Sequence, residues 1–241
     1  MKKLSSSQMK KDKSTMLVIV AHPDDEVLGC GGIMARFSDE GWDVFSLILG
    51  EGITARDSKR NIKKRRKELD SLKAQVYAAN KILGVKKVFA YDFSDNQFDS
   101  VPVLQIIKKI EEVKKKVLPS VVYTHHFGDL NVDHRVTYEA VMTACRPLKQ
   151  ESVREIYSFE VLSSTEWTGP CRDKRFIPSR FVDISDTVDR KIKALKCYKS
   201  EIRPYPHPRS AQGVKLLAKN RGLEAGLKYA EAFANIRHIV T

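Results

Sequence analysis

The chain predicts an α/β fold, a three-layer sandwich in which helices cover both faces of a largely parallel sheet. Three observations carry this expectation. Short apolar runs alternate with longer amphipathic segments along most of the chain, as in successive βαβ units. Two of the runs, residues 16–21 and 120–124, stop abruptly at polar clusters, as strands do when they deliver side chains to the carboxyl edge of a sheet. The length of 241 residues, 42% of them hydrophobic, suits one large domain with a substantial core.

The first run ends in His22-Pro23-Asp24-Asp25-Glu26. Proline fixes its own φ and pushes the preceding residue to extended geometry, so the chain turns at once. His22, Asp24 and Asp25 are splayed around one small volume. Three adjacent acids beside a histidine repel one another unless a cation sits among them. Residues 27–40 then read as a helix with Leu28, Ile33, Met34 and Phe37 on its apolar side, stopped at Gly41. A strand over 43–49 runs into Gly50-Glu51-Gly52, and a long helix over 61–83 closes at Gly84. A short strand at 87–91, a polar loop at 92–100 and a helix at 103–117 follow, with Pro119 as the stop.

The strand at 120–124 repeats the opening pattern by running into His125-His126. Asp129, Asn131, Asp133 and His134 follow within ten residues and lead into a helix over 135–145. Strands are expected at 154–162 and 180–184, and helices at 187–201 and 211–233. A proline-rich loop at 203–209, carrying His207 and Arg209, separates the two helices. Residues 15–241 read as one domain behind a disordered, basic N-terminal arm at 1–14.

A net charge of +13 raises the question of nucleic acid. The basic runs lack aromatic interleaving and zinc-finger spacing, so no specific nucleic-acid partner is expected, only adhesion at low salt and attraction of anionic substrates. No apolar run approaches the roughly 20 residues that span a bilayer. Four scattered cysteines form no C-x-x-C pair, which points to reduced thiols and a cytoplasmic home. The sequence admits a homo-oligomer without fixing one.

The acidic turn has three readings. Gly29-x-Gly31-Gly32 lies between strand and helix, but it lacks the G-x-G-x-x-G spacing, and acids stand where a phosphate needs donors. Acids also favour the first turn of a helix, which accounts for Glu26 and Asp25 but not for His22-Pro23-Asp24. A metal site explains all of them, given a further ligand from the second cluster. In a parallel sheet the two strand ends share one side, so the clusters can converge. Histidines and a carboxylate suit Zn²⁺ with a position left open for water.

His22-Pro23-Asp24-Asp25-Glu26, with Asp133-His134 far downstream, resembles the LmbE-like (PIG-L) family of zinc-dependent N-acetyl-sugar deacetylases. Gly50-Glu51-Gly52, Leu83-Gly84-Val85 and residues 229–233 match weaker landmarks of that family in order. The resemblance implies a Rossmann-like sheet of the LmbE-like deacetylase type. It implies one Zn²⁺ held by His22, Asp25 and His134, with other divalent ions as substitutes, and Asp24 as general base. The implied reaction removes acetate from a small acetamido sugar, free or linked to a nucleotide or lipid. A silent carbohydrate- or partner-binding relative and a hydrolase of a different amide are the alternatives. Relatives commonly have a histidine where this chain has Asn131, and that histidine stabilises the tetrahedral intermediate. His125 or His126 is expected to replace it, with His126 preferred and with Asp133 or Asp129 orienting the ring. Direct donation by Asn131 is the other possibility. Arg56, His125, His207 and Arg209 are the candidate substrate-binding residues.

Overall fold

Residues Met16 to Val20 are fully buried, as a strand covered on both faces must be. In the computed structural model, which describes residues 14–240, this strand is β1 (Thr15–Val20). The elements that follow are α1 (Asp25–Asp39), β2 (Asp43–Gly50), α2 (Ile62–Ile82), β3 (Lys87–Phe93), α3 (Val103–Val117), β4 (Val121–His125) and α4 (Val132–Ala144). The chain continues through β5 (Glu155–Phe159), β6 (Arg180–Asp183), α5 (Val188–Leu195), α6 (Ala211–Glu224) and β7 (Ala230–His238). The arm expected at 1–14 lies, but for Ser14, outside the described residues.

Seven strands form one sheet in the order β3-β2-β1-β4-β5-β7-β6. All neighbours from β3 to β5 pair in parallel, and β7 is antiparallel to both of its neighbours. Alternate residues of β1 feed two cores. Met16, Val18 and Val20 pack with apolar side chains of α1 and α2 on one face. Leu17 and Ile19 pack with α3 and α4 on the other. The three layers expected from the sequence are present. Among the described residues, no helix is long and apolar enough to cross a membrane.

The glycines after the acidic turn serve packing. A Cβ on Gly29 would lie 2.3 Å from the Phe159 ring, and one on Gly32 would lie 2.6 Å from Ile184. Helix α1 can sit this close to its neighbours only without side chains there. Its middle is also tied to β7 and α5. The N–H groups of Gly32 and Ile33 donate to the buried Glu231 carboxylate at 2.8 and 2.7 Å. Lys191 Nζ bridges Glu231 at 2.6 Å and the Leu28 carbonyl at 2.7 Å.

The C-terminal part departs from the sequence reading. The helix expected over 211–233 ends at Glu224, and residues 230–238 form β7 instead. Ala and Glu favour helix locally, but Gly226 at φ +70° breaks the run. Pairing between β5 and β6 then outweighs propensity. The helix expected over 187–201 ends at Leu195, and Tyr198 turns inward so that its hydroxyl donates to buried Glu26.

Candidate active site

Strand order runs outward from β1 to β2 and β3, and the chain then returns to place β4 on the other side of β1. That reversal opens a crevice at the carboxyl ends of β1 and β4, the usual ligand position in open α/β sheets. His22 leaves the end of β1, and α1 starts at Asp25, so Asp24 takes the turn between them at φ 101°. The His22 N–H donates to Asp25 Oδ2 at 2.9 Å, closing the turn on itself. From the β4 side, Asn131 caps α4, its Oδ1 accepting the Asp133 N–H at 2.8 Å. This cap aims the first turn of α4, with Asp133 and His134, at the same point.

The two clusters meet on Asp25. Its Oδ2 lies 3.4 Å from His22 Nδ1 and 3.2 Å from His134 Nε2. One ligand atom from each of the three residues falls within 4.8 Å of the others. The far nitrogen of each imidazole faces a carboxylate: His22 Nε2 is 2.9 Å from Asp133 Oδ2, and His134 Nδ1 is 3.1 Å from Asp129 Oδ1. Such partners fix which ring nitrogen is free for a metal. Asp133 is held in turn by the N–H groups of Asn96 and Phe98 at 2.7 and 2.9 Å. Asp129 accepts from the hydroxyls of Ser164 and Thr165. His22 Nε2 is also 3.4 Å from Asp95, and His22, Asp95 and Asp133 form a second possible ligand trio. Because Asp133 is already committed to two backbone donors, we read that trio as orienting His22.

Charge supports the fit to a cation. Burial disfavours charge on both rings, yet the carboxylates outweigh it. Asp133 and Asp25 raise His22 to about 10, and Asp25 and Asp129 raise His134 to about 9. The surrounding carboxylates therefore favour positive charge at this cluster in spite of its burial. A divalent ion meets the same demand with neutral rings, and the His₂Asp donor set suits one. Asp24 differs from its neighbour. Burial pushes its carboxyl well above the usual range even though Arg209 opposes this, whereas His134 and His125 hold Asp25 well below it in spite of burial.

A cavity of about 260 Å³ opens onto this cluster, walled by His22, Asp24, Asp25 and His134 and by Arg56 and Arg209. Asp24, Ile53 and Asn96 on its wall all have positive φ. Backbone strain in non-glycine residues collects where the surrounding fold enforces a geometry, often at functional sites.

The family model described as GlcNAc-PI de-N-acetylase (PIG-L) matches residues 17–145. The chain belongs to the PIG-L family. It is an enzyme of the deacetylase class. The uncharacterized deacetylase YaiS of Escherichia coli (strain K12) is 31% identical over 205 residues, which cover 82% of this chain and 95% of YaiS. The diacetylchitobiose deacetylase of Thermococcus kodakarensis is 28% identical over 236 residues, 91% of this chain and 82% of that enzyme. Among solved structures, GalB, the 4-carboxy-2-hydroxymuconate hydratase from Pseudomonas putida KT2440, superposes with a TM-score of 0.74 at 21% identity. That match covers 95% of this chain and 98% of GalB, and it shows the fold alone.

The crevice brings His22, Asp24, Asp25, Asn131, His134, Arg56 and Arg209 to one cavity wall, with Asp133 against His22 Nε2. The paired histidines are placed otherwise than expected. His125, not the preferred His126, faces the His22-Asp25-His134 cluster, its Nε2 3.6 Å from Asp25 Oδ2. It does so from behind, its ring stacked on that of His134 at 3.9 Å and its Nε2 accepting the Ala21 N–H at 2.9 Å. Burial, and His134 beside it, hold it well below its normal pKa and so uncharged. His126 turns to the other side of the strand end, with Nε2 3.0 Å from the Lys174 carbonyl oxygen. Adjacent residues at a strand end face opposite sides, and here it is His125 whose side is that of Asp25. Asn131 is committed as the α4 cap, and its amide donates to Asn96 Oδ1 at 2.9 Å. His207 stands behind Arg209, its Nδ1 accepting that residue's N–H at 3.1 Å. Asp95, Asn96 and Glu201 on the cavity wall escape the sequence reading. The signal for the first two was available, because their loop leaves β3 at the same sheet edge.

Proposed function

We propose that this enzyme hydrolyses the acetamide of a small N-acetyl sugar or sugar conjugate, using one Zn²⁺ held by His22, Asp25 and His134. The observation that carries this reading is the convergence of both imidazoles on Asp25 Oδ2, with Asp24 beside it on the cavity wall. Zinc in such a site supplies Lewis-acid chemistry, making water acidic near neutral pH and polarising a carbonyl. The chain's own residues do the rest. Asp133 and Asp129 hold the two rings in register. Asp24 takes the proton from the attacking water as the new C–O bond forms at the acetyl carbon. The C–N bond then breaks and Asp24 returns the proton to the departing nitrogen, leaving acetate and an amino sugar. The diacetylchitobiose deacetylase relative supports a sugar acetamide as the substrate class. The four cysteines are free, which fits a reducing compartment, and we place the enzyme in the cytoplasm.

The test is acetate release from a panel of acetamido sugars, with metal content measured on the same preparation. Stoichiometric zinc and chelator-sensitive acetate release are expected. Hydration of an unsaturated carboxylic acid without any acetate release would replace this reading.

A further inference from the structure

Addition of water to an amide moves the carbonyl electron pair onto oxygen. Losing one donor to that oxygen typically costs about 10²–10³ in turnover. The residues expected to provide the donor are otherwise engaged. His125 accepts the Ala21 N–H from behind His134, His126 faces the Lys174 carbonyl, and Asn131 caps α4 and holds Asn96. Two arginines remain on the cavity wall. Arg56 is drawn to Glu201, with Nη2 2.5 Å from Oε1.

Arg209 is placed differently. Its Nε donates to the Leu162 carbonyl at 3.1 Å and its Nη1 to Asp24 Oδ2 at 3.2 Å. Its backbone is fixed by His207, whose ring lies edge-on to Trp167 at 6.0 Å. Among the described residues, Nη2 has no protein acceptor. Anchored through Nε on Leu162 and through Nη1 on Asp24, the planar fork holds its unspent donors in a fixed orientation at the cavity wall, at little entropic cost.

We propose that Arg209 is a catalytic residue whose guanidinium donates to the oxygen that becomes negative as water adds beside Asp24. The proposal rests on the acetamide reading. The new C–O bond forms as the π pair moves to the carbonyl oxygen facing Arg209. The pair returns as the C–N bond breaks, and Arg209 neither gains nor loses a proton.

Arg209→Gln should lower kcat by about 10²–10³ while KM changes less than about threefold. Arg209→Lys should restore part of the loss, and added guanidinium should partly rescue Arg209→Gly. Melting curves and zinc content should match those of the parent. Methylphosphonate, a tetrahedral anion of acetyl size, serves as a probe that needs no base. Calorimetry should find it bound about 10–100-fold more weakly by Arg209→Gln. The same loss should persist between Asp24→Asn and the Asp24→Asn, Arg209→Gln double variant. Equal affinity in that pair would mean that Arg209 acts only through Asp24, and the proposal fails. A KM rise at constant kcat would assign Arg209 to a charge on the substrate and also overturns it. A parent enzyme that releases no acetate overturns the acetamide reading, and the methylphosphonate titrations then still read Arg209 separately.

Discussion

Asp24 and Asp25 are neighbours in sequence and opposites in environment. Asp25 lies between two imidazoles, whereas Asp24 is turned away at φ 101° onto Arg209. Asp25→Ala should therefore empty the metal site. Asp24→Asn should keep metal and fold yet lose about 10²–10⁴ in turnover, the span typical of a general base. Metal analysis beside acetate release checks both expectations. The carboxylates behind the rings give a finer test. Asp129→Ala and Asp133→Ala should each weaken metal affinity about 10–100-fold, measured by competition with a chelating dye. Unchanged affinity would reduce them to packing groups.

Helix α1 shows what patterning alone conveys. Its apolar positions and its start after an acidic turn are legible in the sequence, whereas the purpose of Gly29 and Gly32 is not. That purpose is the Phe159 ring and Ile184, residues more than a hundred positions away. Gly29→Ala should gain about 1 kcal/mol in helix propensity and lose more to overpacking, which typically costs about 1–3 kcal/mol. A lower melting temperature is the expected outcome. At the end of α3, Leu118 is exposed and sits at φ 47°. Leu118→Gly should raise stability by about 0.5–1 kcal/mol, because glycine adopts that conformation without the side-chain penalty. Legibility follows the same division elsewhere. The meeting of His22, Asp25 and His134 could be expected because their two clusters leave strand ends at one edge of the parallel sheet. The parity of His125 and His126 depended on where β4 ends, since one residue decides which ring points inward. The strand character of residues 230–238 depended on partners that local propensity does not reveal.

At the scale of the molecule, charge and thiols behave as the layers dictate. Cys30 and Cys145 are buried, and burial pushes both thiols up, Cys145 to about 12. Only the thiolate reacts, and its fraction rises toward the pKa. At pH 8 alkylation should therefore mark exposed Cys171 and partly exposed Cys197 and spare the other two, as peptide mass mapping can show. The hydrogen bonds from α1 to Glu231 have a consequence in time. Its partners on α1 precede it by 199 and 198 residues, so these two hydrogen bonds cannot form until β7 has been synthesised. Contacts of such span slow folding. A ribosome-bound chain lacking β7 should be cut by protease within α1, and it should acquire protection and bind metal only after β7 emerges. Metal loading would then follow synthesis of β7, with that strand as the latch.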